Sequence, residues 1–456
     1  DSFVEQNYRD SNFSIRDIFG RVVSAQKGGL CLSCHRGIEE ISRNHRFKCV
    51  KCHAGNAKTR SKLEAHRDMV SNPSDLKHAQ KFCGKCHADQ IKKVEQSLMS
   101  TVKGVINSTR YAWGAQFPGD AQYSLHPIEG ERDYKKMEPE EVKPVDRYLR
   151  NACLRCHIQA PSPHRPGDYR ATGCASCHVV YSNDGRTMTR DRAIQNWQKI
   201  EIKKDKNRLQ RDYAINSLWN PRGYPVMHKF TVAVPSVQCE HCHHLNGPGD
   251  EFEGRFAKSP MYKPSGQKID SSRPVLHGSE HEFLVPDIHR EKGMHCIDCH
   301  GIEEIKSDGM TIHSENKNKL YCEDCHGTLK KKPEEKLLIE SLPESKSILK
   351  TLSINPNLSG KVRIGDVILA DSKGRLVPHV KKETRGWVLI SKITGKKHNI
   401  PILVDRPKIS AHQLKAHMER VECSACHARW AANEWGTHVI YDEEPDHDSW
   451  LDWSFS

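Results

Sequence analysis

The chain has 456 residues, of which 36% are hydrophobic, and its mean hydropathy is -0.73. This length ordinarily gives two or three domains, yet the composition is poor for a large aliphatic core, and no run of about 18 apolar residues is present to span a membrane as a helix. Lysine and arginine exceed aspartate and glutamate by 13 charges, but they are dispersed along the chain rather than gathered on one element, which argues against a nucleic-acid partner.

Residues 1–29 are predicted to form an N-terminal arm with a short helical piece around residues 15–23. An arm of this kind commonly frays, and docking onto a neighbouring subunit is the alternative. The chain starts without a basic and apolar leader, which is typical of a mature protein whose export signal has been removed.

From Leu30 to Ala54 the sequence contains Cys-x-x-Cys-His twice, and the motif occurs nine times in the chain. This spacing is typical of c-type haem attachment, in which two thiols bind the porphyrin covalently and the histidine ligates the iron. The nine motifs are Cys31/Cys34/His35, Cys49/Cys52/His53, Cys83/Cys86/His87, Cys153/Cys156/His157, Cys174/Cys177/His178, Cys239/Cys242/His243, Cys296/Cys299/His300, Cys322/Cys325/His326 and Cys423/Cys426/His427.

These motifs use all 18 cysteines, so no thiol remains for a disulfide, a zinc site or a cysteine nucleophile. The predicted cofactors are nine haem c groups, whose apolar surface replaces the missing core. The expected fold is mostly irregular, with short α-helices around a chain of covalently bound haems that forms its interior. Each ferric haem with two imidazole ligands and ionised propionates carries about −1, so the basic excess mostly pairs propionates.

Residues 30–110 carry haems 1 to 3, and residues 111–328 carry haems 4 to 8. From Ala88 the spacing of Ile91, Val94, Leu98, Val102 and Val105 predicts one amphipathic helix. Residues 110–146 are rich in glycine, proline and aromatic residues and are predicted to form a long loop, and residues 190–218 a charged, solvated helix.

The segment of motifs 1 and 2 and the segment of motifs 7 and 8 are similar in sequence and form an internal two-haem repeat. Lys27-Gly-Gly-Leu-Cys31 aligns with Lys292-Gly-Met-His-Cys296, and Gly37-Ile-Glu-Glu-Ile41 with Gly301-Ile-Glu-Glu-Ile305. In each copy a histidine and then a second motif follow, which indicates a repeated structural unit.

Residues 329–405 contain no motif and form a predicted linker and small β subdomain. Short β-branched runs between residues 361 and 404, broken by glycine-containing turns, predict an antiparallel sheet. A structural role is favoured for this sheet over a docking surface. Residues 406–456 form the C-terminal segment of haem 9, with a helix predicted over residues 409–430.

The sixth iron ligand decides what these haems can do. Nineteen of the 28 histidines lie outside the motifs, enough to give every iron a second imidazole, and an iron with both axial positions filled exchanges electrons but does not bind substrate. The best candidates lie just upstream of a motif or between paired motifs: His45, His66, His164, His228, His281, His289, His313, His412 and His417, with His78 and His126 in reserve. His241, His244 and His295 adjoin or lie within a motif, where the distal face of the same iron is hard to reach.

Several segments resemble a known family. They are Ser97-Leu-Met-Ser-Thr101 with Arg110-Tyr-Ala-Trp-Gly114, Tyr169–His178, Asp287-Ile-His289, Cys322–Gly327 and Cys423–Trp430. On these segments most of the chain resembles the large multihaem c-type cytochromes that metal-reducing and sulfate-reducing bacteria export for respiratory and extracellular electron transfer. The resemblance implies closely spaced bis-histidine haems and no dedicated substrate site.

Members of that family often carry one more haem motif after the equivalent of Trp430. Here Glu434-Trp-Gly-Thr-His438 stands in that place without cysteines. This departure excludes a tenth covalent haem and leaves His438 as a ligand or a relic.

The favoured function is electron conduction along nine haems by a periplasmic or extracellular protein that is not an enzyme. Other redox proteins or extracellular acceptors are the expected partners, and self-assembly into a filament is a further expectation. The alternative is a multihaem reductase or dehydrogenase of a small nitrogen or sulfur compound with one open iron. Such enzymes sometimes replace the motif histidine by lysine, and no Cys-x-x-Cys-Lys occurs here.

Overall fold

The computed structural model describes residues 29–154, 156–160, 170–181, 187–204, 225–243, 256–258, 275–276, 279–283, 288–301 and 320–406, with positions 412, 414, 420, 421 and 423–427. The predicted arm lies outside these residues, except for Gly29. Five histidines singled out in the sequence also lie outside them, namely His164, His244, His313, His417 and His438.

The described helices are short, and most have one or two turns. In chain order they are α1 Cys49–His53, α2 Lys62–Ala65, α3 Leu76–Glu95, α4 Leu98–Thr101, α5 Lys103–Ala112, α6 Pro144–Tyr148, α7 Ala175–His178, α8 Arg192–Lys204, α9 Ser236–Glu240, α10 Ile288–Glu291, α11 Cys296–Cys299, α12 Cys322–His326, α13 Pro343–Ile354 and α14 Cys423–His427. A π-helical turn, Leu149–Cys153, follows α6, and 3-10 turns lie at Gly29–Ser33, Tyr134–Lys136, Pro139–Glu141 and Leu403–Asp405.

The strands form one sheet of five strands and three smaller sheets. They are β1 Tyr123–Ser124, β2 Arg132–Asp133, β3 Val179–Tyr181, β4 Pro225–Phe230, β5 Phe256–Lys258, β6 Val275–Leu276, β7 Ser279–Phe283, β8 Glu334–Leu337, β9 Val367–Ala370, β10 Leu376–Glu383, β11 Gly386–Ile390 and β12 Lys397–Asn399. β1 pairs with β2 in parallel, β3 with β4 antiparallel, and β7 lies between β5 and β6.

The helix predicted from Ala88 is divided differently in the structure. α3 begins at Leu76 and is kinked at His87, whose φ of -125° is not helical. Val102 then takes a left-handed conformation, with φ of 56°, between α4 and α5. The single helix predicted over these residues is therefore wrong, because the chain turns at Val102 and leaves Val105 exposed.

The segment predicted as a loop from Arg110 to Asp146 packs around its own small core. Tyr134 and Leu149 are almost fully buried there, and Tyr134 donates a hydrogen bond to the Asp146 carboxylate at 2.9 Å. The same carboxylate, with no exposed surface, pairs with the buried Arg110 guanidinium. Arg110 belongs to one of the segments that carry the family resemblance, and this ion pair gives it a structural role.

The five-stranded sheet is antiparallel throughout and has the order β12-β11-β10-β9-β8. Four of its strands lie in residues 361–404, and the fifth, β8, comes from upstream of that region. Its two faces are covered by separate apolar clusters. Ile368 and Ile390 pack toward α13 on one face, whereas Leu369 and Leu389 pack toward Leu320 and Cys325 on the other. The second face therefore contacts the segment of motif 8.

Candidate functional site

The local structure of the motifs places their three functional side chains together. α1, α12 and α14 each extend from the first cysteine of a motif to its histidine. In a helical turn, positions i, i+3 and i+4 lie on one face, so both thiols and the imidazole point the same way. All 18 cysteines are described and none forms a disulfide. This arrangement suits attachment of one planar group by two bonds beside one ligating ring.

Five motif cysteines are exposed, namely Cys34, Cys86, Cys299, Cys322 and Cys426. The other motif cysteines are half-buried.

The reason for this exposure is the position of these motifs at the surface of the polypeptide. Lys85 and His87, on either side of Cys86, are exposed as well, and so is His427 beside Cys426. Cys34 has Ser33 Oγ as a polar neighbour, 3.8 Å from its sulfur. Polar neighbours in a short helix give a thiol little apolar surface to pack against. Covalent haem attachment at these five cysteines stays a prediction.

Six motif histidines each lie opposite a second histidine. In every pair one ring belongs to a motif and the other does not, and the ring centroids are 5.8 to 6.0 Å apart: His35 with His66, His53 with His228, His87 with His45, His157 with His126, His326 with His289, and His427 with His412.

The constancy of this separation is informative, because the angle between the rings varies from 16° to 71° over the same pairs. Direct ring stacking would restrict the angle. Two imidazoles that bind opposite faces of one metal at about 2 Å instead have centroids roughly 6 Å apart and can rotate about the common axis. The pairs therefore fit an iron between two imidazoles.

Hydrogen bonds at Nδ1 orient several of the motif and distal histidines and leave Nε2 available for a ligand. A ligating histidine usually donates its other N–H to a carbonyl or carboxylate. The backbone carbonyls that accept from Nδ1 are Val70 for His53 (2.9 Å), Thr231 for His178 (2.8 Å), Pro401 for His326 (2.8 Å) and Glu39 for His228 (2.9 Å). The histidine rings are thus fixed in the orientation that ligation requires.

Burial favours the neutral form of several of these imidazoles, and the neutral form is the one that ligates. It lowers the pKa of His53 and of His228. For His157 burial, together with nearby His126 and two basic side chains, lowers the pKa to about 4. A neutral Nε2 keeps a lone pair for a metal at the pH of most compartments.

A cavity of about 460 Å³ lies beside the His126–His157 pair. Its lining includes Leu125, next to His126, and Leu154, within motif 4, together with Lys135 and Arg150. Burial lowers the pKa of His126, and the charge of Lys135 lowers it further, so this cation is close to the ring pair. Apolar walls with two cations suit a porphyrin that carries two propionates.

A buried carboxylate holds together the segments that contain His35, Asp191 and His228, near motifs 1 and 2. Glu39 has no exposed surface and accepts from the Thr189 hydroxyl and the Arg190 backbone N–H, both at 2.5 Å. It also accepts from the His228 backbone N–H at 3.3 Å. Gly37, with φ of +88°, makes this approach possible, because a Cβ there would lie 2.4 Å from the Arg190 carbonyl oxygen.

His35 differs from the other ligand candidates because the hydrogen-bond partner of its Nδ1 is a carboxylate. Its Nδ1 lies 2.7 Å from the carboxylate of Asp191, a side chain that is 1% exposed. The hydrogen bond to Asp191 raises the pKa of His35, against the effect of burial. The ring is therefore held by a buried negative charge rather than by a neutral carbonyl.

The five-stranded sheet fixes motifs 7 and 8 through the aspartate that precedes the second cysteine of each. Asp298, which is 1% exposed, accepts from Ser391 Oγ at 3.0 Å and from the Lys392 backbone N–H at 2.7 Å. Asp324 accepts from the Ser372 backbone N–H at 2.8 Å. Together with the His326–Pro401 hydrogen bond, these contacts explain the sheet as a scaffold for two motifs.

Thiols of different motifs lie next to one another, close enough for hydrogen bonds or electrostatic interaction. The neighbouring thiols are Cys31 and Cys49, Cys52 and Cys83, Cys83 and Cys174, Cys177 and Cys239, Cys242 and Cys156, Cys296 and Cys239, Cys299 and Cys325, and Cys322 and Cys423. Helix packing agrees, since α9 of motif 6 contacts both α7 of motif 5 and α11 of motif 7. The motifs therefore follow one another as 1, 2, 3, 5, 6, 7, 8 and 9, with motif 4 beside motif 6.

The structure places several distal candidates opposite particular motif histidines, a pairing that the sequence left open. His45, His66, His228, His289 and His412 were preferred, and all five face a motif histidine. The reserve residue His126 faces His157, whereas the other reserve residue, His78, has Phe82 as its ring neighbour at 6.4 Å.

Three motif histidines, His178, His243 and His300, remain to be matched to a distal ligand. The preferred candidates not yet used are His281, whose backbone lies in β7, and three histidines outside the described residues: His164, His313 and His417. Of the adjoining histidines, His241 stacks on Tyr181 at 4.1 Å and His295 Nδ1 lies 3.0 Å from Ser236 Oγ.

Asp191, Glu39, Asp298 and Asp324 were not singled out from the sequence. A signal existed for the last two, because both occupy the same place in their motifs, Cys-x-Asp-Cys-His. Asp191 directly precedes α8 and accepts from the Ala193 backbone N–H at 2.8 Å, which is the behaviour of a helix N-cap.

No protein family, curated protein or solved structure matches the chain. Within the described ranges, no helix is both long and apolar enough to cross a bilayer. The same residues contain no group of three or more histidine, cysteine, aspartate or glutamate side chains arranged for a metal ion. A haem iron takes four ligands from the porphyrin and needs only two from the protein, which is what the six histidine pairs offer.

Proposed function

We propose that the protein is a nine-haem c-type cytochrome that conducts electrons along closely spaced bis-histidine haems in periplasmic or extracellular respiratory electron transfer. The observation that carries this proposal is the set of six histidine pairs. Each pair has a motif histidine on one side and a ring separation of 5.8 to 6.0 Å.

The bound haem supplies reversible one-electron chemistry. The chain's own residues determine how that chemistry is used. The cysteines would hold each group by two covalent bonds, the paired histidines would ligate the iron, and Lys135 and Arg150 at motif 4 would offer cations to propionates. Two strong ligands on opposite faces exclude small molecules, so these six sites suit electron exchange rather than substrate conversion.

The contacts between motifs support a continuous path. Each motif has a thiol beside a thiol of at least one other motif. Because the thiols mark the porphyrin edges, adjacent thiols bring adjacent haem edges together, the arrangement that favours electron tunnelling. The proposed path runs through motifs 1, 2, 3, 5, 6, 7, 8 and 9, with motif 4 as a branch at motif 6.

The two ends of this path suit exchange of electrons with partners. Cys34 of motif 1 and Cys426 of motif 9 are both exposed, so the thioether edge of each terminal haem would lie at the surface. Electron transfer to another protein needs such an exposed edge, because the tunnelling rate falls steeply with the distance between cofactors.

The alternative function is a multihaem reductase or dehydrogenase of a small nitrogen or sulfur compound, which needs one iron with an open face. Six motifs already have a histidine opposite the motif histidine. An open iron would therefore lie at motif 5, 6 or 7, whose motif histidines are His178, His243 and His300.

The proposal requires partners that deliver and accept electrons. Other redox proteins and extracellular acceptors fit this need, and further copies of the chain stay a prediction from the sequence. Sedimentation of the native protein at micromolar concentration, with and without residues 1–25, tests self-assembly. A monomer in both cases, with no polymers in electron micrographs, argues against a filament.

The purified holoprotein tests the central claim. Intact mass is expected to exceed the 52.0 kDa polypeptide by nine haem masses, and low-temperature electron paramagnetic resonance is expected to show low-spin ferric iron at all or nearly all sites. Thiols joined between motifs as disulfides would give almost the bare polypeptide mass. A high-spin signal with carbon monoxide binding in a one-to-one ratio would instead support the enzyme.

A further inference from the structure

His35 differs from three other motif histidines in the kind of acceptor that its Nδ1 contacts. His53, His178 and His326 have backbone carbonyl oxygens as acceptors, at 2.8 to 2.9 Å. His35 has the carboxylate of Asp191 at 2.7 Å. A carbonyl is a neutral acceptor, whereas the carboxylate brings a full negative charge to the back of the ring.

The carboxylate is well placed to keep its effect. Asp191 is 1% exposed, so water screens its charge poorly. Its other oxygen accepts from the Ala193 backbone N–H at 2.8 Å, and its own N–H donates to Thr189 Oγ1 at 3.2 Å. Thr189 in turn donates to the buried Glu39. The side chain is thus fixed from several directions and cannot easily turn away from His35.

A carboxylate behind a ligating imidazole increases the basicity of the ring and its electron donation to the metal. More donation, together with a nearby negative charge, favours the ferric state over the ferrous state. A neutral acceptor does neither to the same extent.

We infer that Asp191 is a positioning residue that lowers the reduction potential of the haem at motif 1 relative to haems whose motif histidine is held by a carbonyl. This inference rests on the proposed function, since it concerns a haem between His35 and His66. It makes motif 1, at one end of the proposed path, a low-potential site.

The test uses the full-length holoprotein with Asp191→Asn. Asparagine has nearly the same shape and keeps one oxygen that can accept from His35 Nδ1. The change removes the charge, and it also removes the acceptor for the Ala193 backbone N–H, which Asp191→Glu retains. Asp191→Glu retains the charge. Glu40→Gln is the matched control, because Glu40 carries a negative charge in the same segment but its ion-pair partner is Arg46, at 2.8 Å.

Intact mass first establishes nine haems in each variant, and a potentiometric titration followed by absorbance then resolves the one-electron components. With Asp191→Asn we expect one low-potential component to move upward, with at least a tenfold rise in its ferrous-to-ferric ratio at fixed potential, which is about 59 mV for one electron. The other components, and all components of Glu40→Gln, are expected to stay in place. Asp191→Glu is expected to resemble the wild type.

Every other outcome decides against the inference. An Asp191→Asn titration that superimposes on the wild type shows that the charge has no effect. An equal shift with Asp191→Glu shows that geometry matters and charge does not. Loss of one haem in Asp191→Asn means that Asp191 holds the haem rather than setting its potential. A wild-type protein without nine haems instead overturns the proposed function, which separates the two failures.

Discussion

His53 and His228 have ring centroids 6.0 Å apart although they belong to distant parts of the chain. His53 closes motif 2, and His228 lies in β4, just before motif 6. Burial lowers the pKa of both rings, and both are oriented by backbone carbonyls at 2.9 Å. The pair places a histidine from the segment next to motif 6 opposite the histidine of motif 2.

Replacing His228 with alanine tests this pairing. We expect nine haems to remain, since no cysteine is changed, but one iron per chain to lose its second imidazole and become high-spin. Carbon monoxide is then expected to bind the reduced protein at one site per chain, because a five-coordinate ferrous haem has an open position. Absorbance titration with carbon monoxide gives this stoichiometry.

The control for this experiment is His78→Ala. His78 also lies outside the motifs, but its ring neighbour is Phe82. We expect no high-spin signal and no added carbon monoxide binding. Equal spectra for the two variants would mean that His228 is not an iron ligand.

Removing the Asp298 carboxylate tests the role of the five-stranded sheet. Asp298→Ala leaves the buried donors on Ser391 and Lys392 without their acceptor, and a buried unsatisfied group costs about 1–3 kcal/mol. We expect the free energy of unfolding to fall by about 2–5 kcal/mol. Guanidinium unfolding followed by circular dichroism in the Soret region reports on the haems that the sheet supports.

Glu323→Ala is the matched control for Asp298. Glu323 also lies between the two cysteines of a motif, but its side chain is exposed, and surface changes usually stay within about 0.5 kcal/mol. If Asp298→Ala unfolds at the same denaturant concentration as Glu323→Ala, the hydrogen bonds of Asp298 to Ser391 and Lys392 do not stabilise the sheet.

The sequence locates the attachment residues because Cys-x-x-Cys-His is a local pattern, readable without knowing the fold. The distal ligands have no such pattern. His45 lies between motifs 1 and 2 but faces His87 of motif 3, and proximity along the chain cannot show that crossing. His126 had low priority for the same reason, although its ring faces His157 across the segment that the sequence indicated to be a loop.

The local pattern also does not predict how deeply each cysteine of a motif is buried. Cys83 and Cys86 belong to the same motif, yet Cys83 is half-buried and packs beside the small apolar cluster of α3, whereas Cys86 is exposed. Which side of a motif faces the rest of the protein depends on the segments that pack against it. The spacing of two cysteines carries no information about those segments.

The sheet illustrates a similar limit. Strands β9 to β11 lie where short β-branched runs predicted them, since those runs bury apolar side chains on both faces. β12, Lys397–Asn399, has no buried side chain and precedes most of the predicted run over residues 399–404, part of which forms the 3-10 turn Leu403–Asp405. β8, with the sequence Glu-Glu-Lys-Leu, is exposed throughout and lies at the edge of the sheet, where charged side chains are tolerated. No hydrophobic pattern marks such a strand, so the sequence indicated only a linker there.

The buried ion pair of Arg110 and Asp146 leads to a further prediction. Asp146→Ala leaves the Arg110 guanidinium, whose side chain is 4% exposed, without its partner and removes the acceptor of Tyr134. Breaking a buried pair in this way costs about 3–5 kcal/mol, and we expect that loss in the unfolding free energy. Tyr134 also lines the cavity beside motif 4. The Soret dichroism of the haem proposed at motif 4 is therefore expected to change as well.

An exposed ion pair provides the comparison for Asp146. Lys382 and Glu335 are 2.7 Å apart, with both side chains about half exposed, and such pairs contribute about 0–1 kcal/mol. Glu335→Gln is therefore expected to unfold almost as the wild type does. Equal effects of the two substitutions would show that the Arg110 pair is not buried in the holoprotein.

Gly173 and Gly114 allow a test of how motif 5 packs on α3. Both glycines have a left-handed φ, +65° and +66°. A Cβ at Gly173 would lie 2.0 Å from the Ser74 carbonyl oxygen, whereas a Cβ at Gly114 would meet open space. Alanine at either position carries a similar backbone strain of about 1–2 kcal/mol, but only at Gly173 must the Ser74 backbone also move.

We therefore expect Gly173→Ala to lower the unfolding free energy by about 1–3 kcal/mol more than Gly114→Ala, a cost typical of overpacking. The displaced backbone also holds motif 5, because the Cys174 N–H donates to the Ser74 carbonyl at 3.1 Å. Motif 5 lies between motifs 3 and 6 on the proposed path, so its spectroscopic signature is expected to change in Gly173→Ala alone. Matching unfolding curves and unchanged spectra in both variants would contradict the close packing of motif 5 against α3.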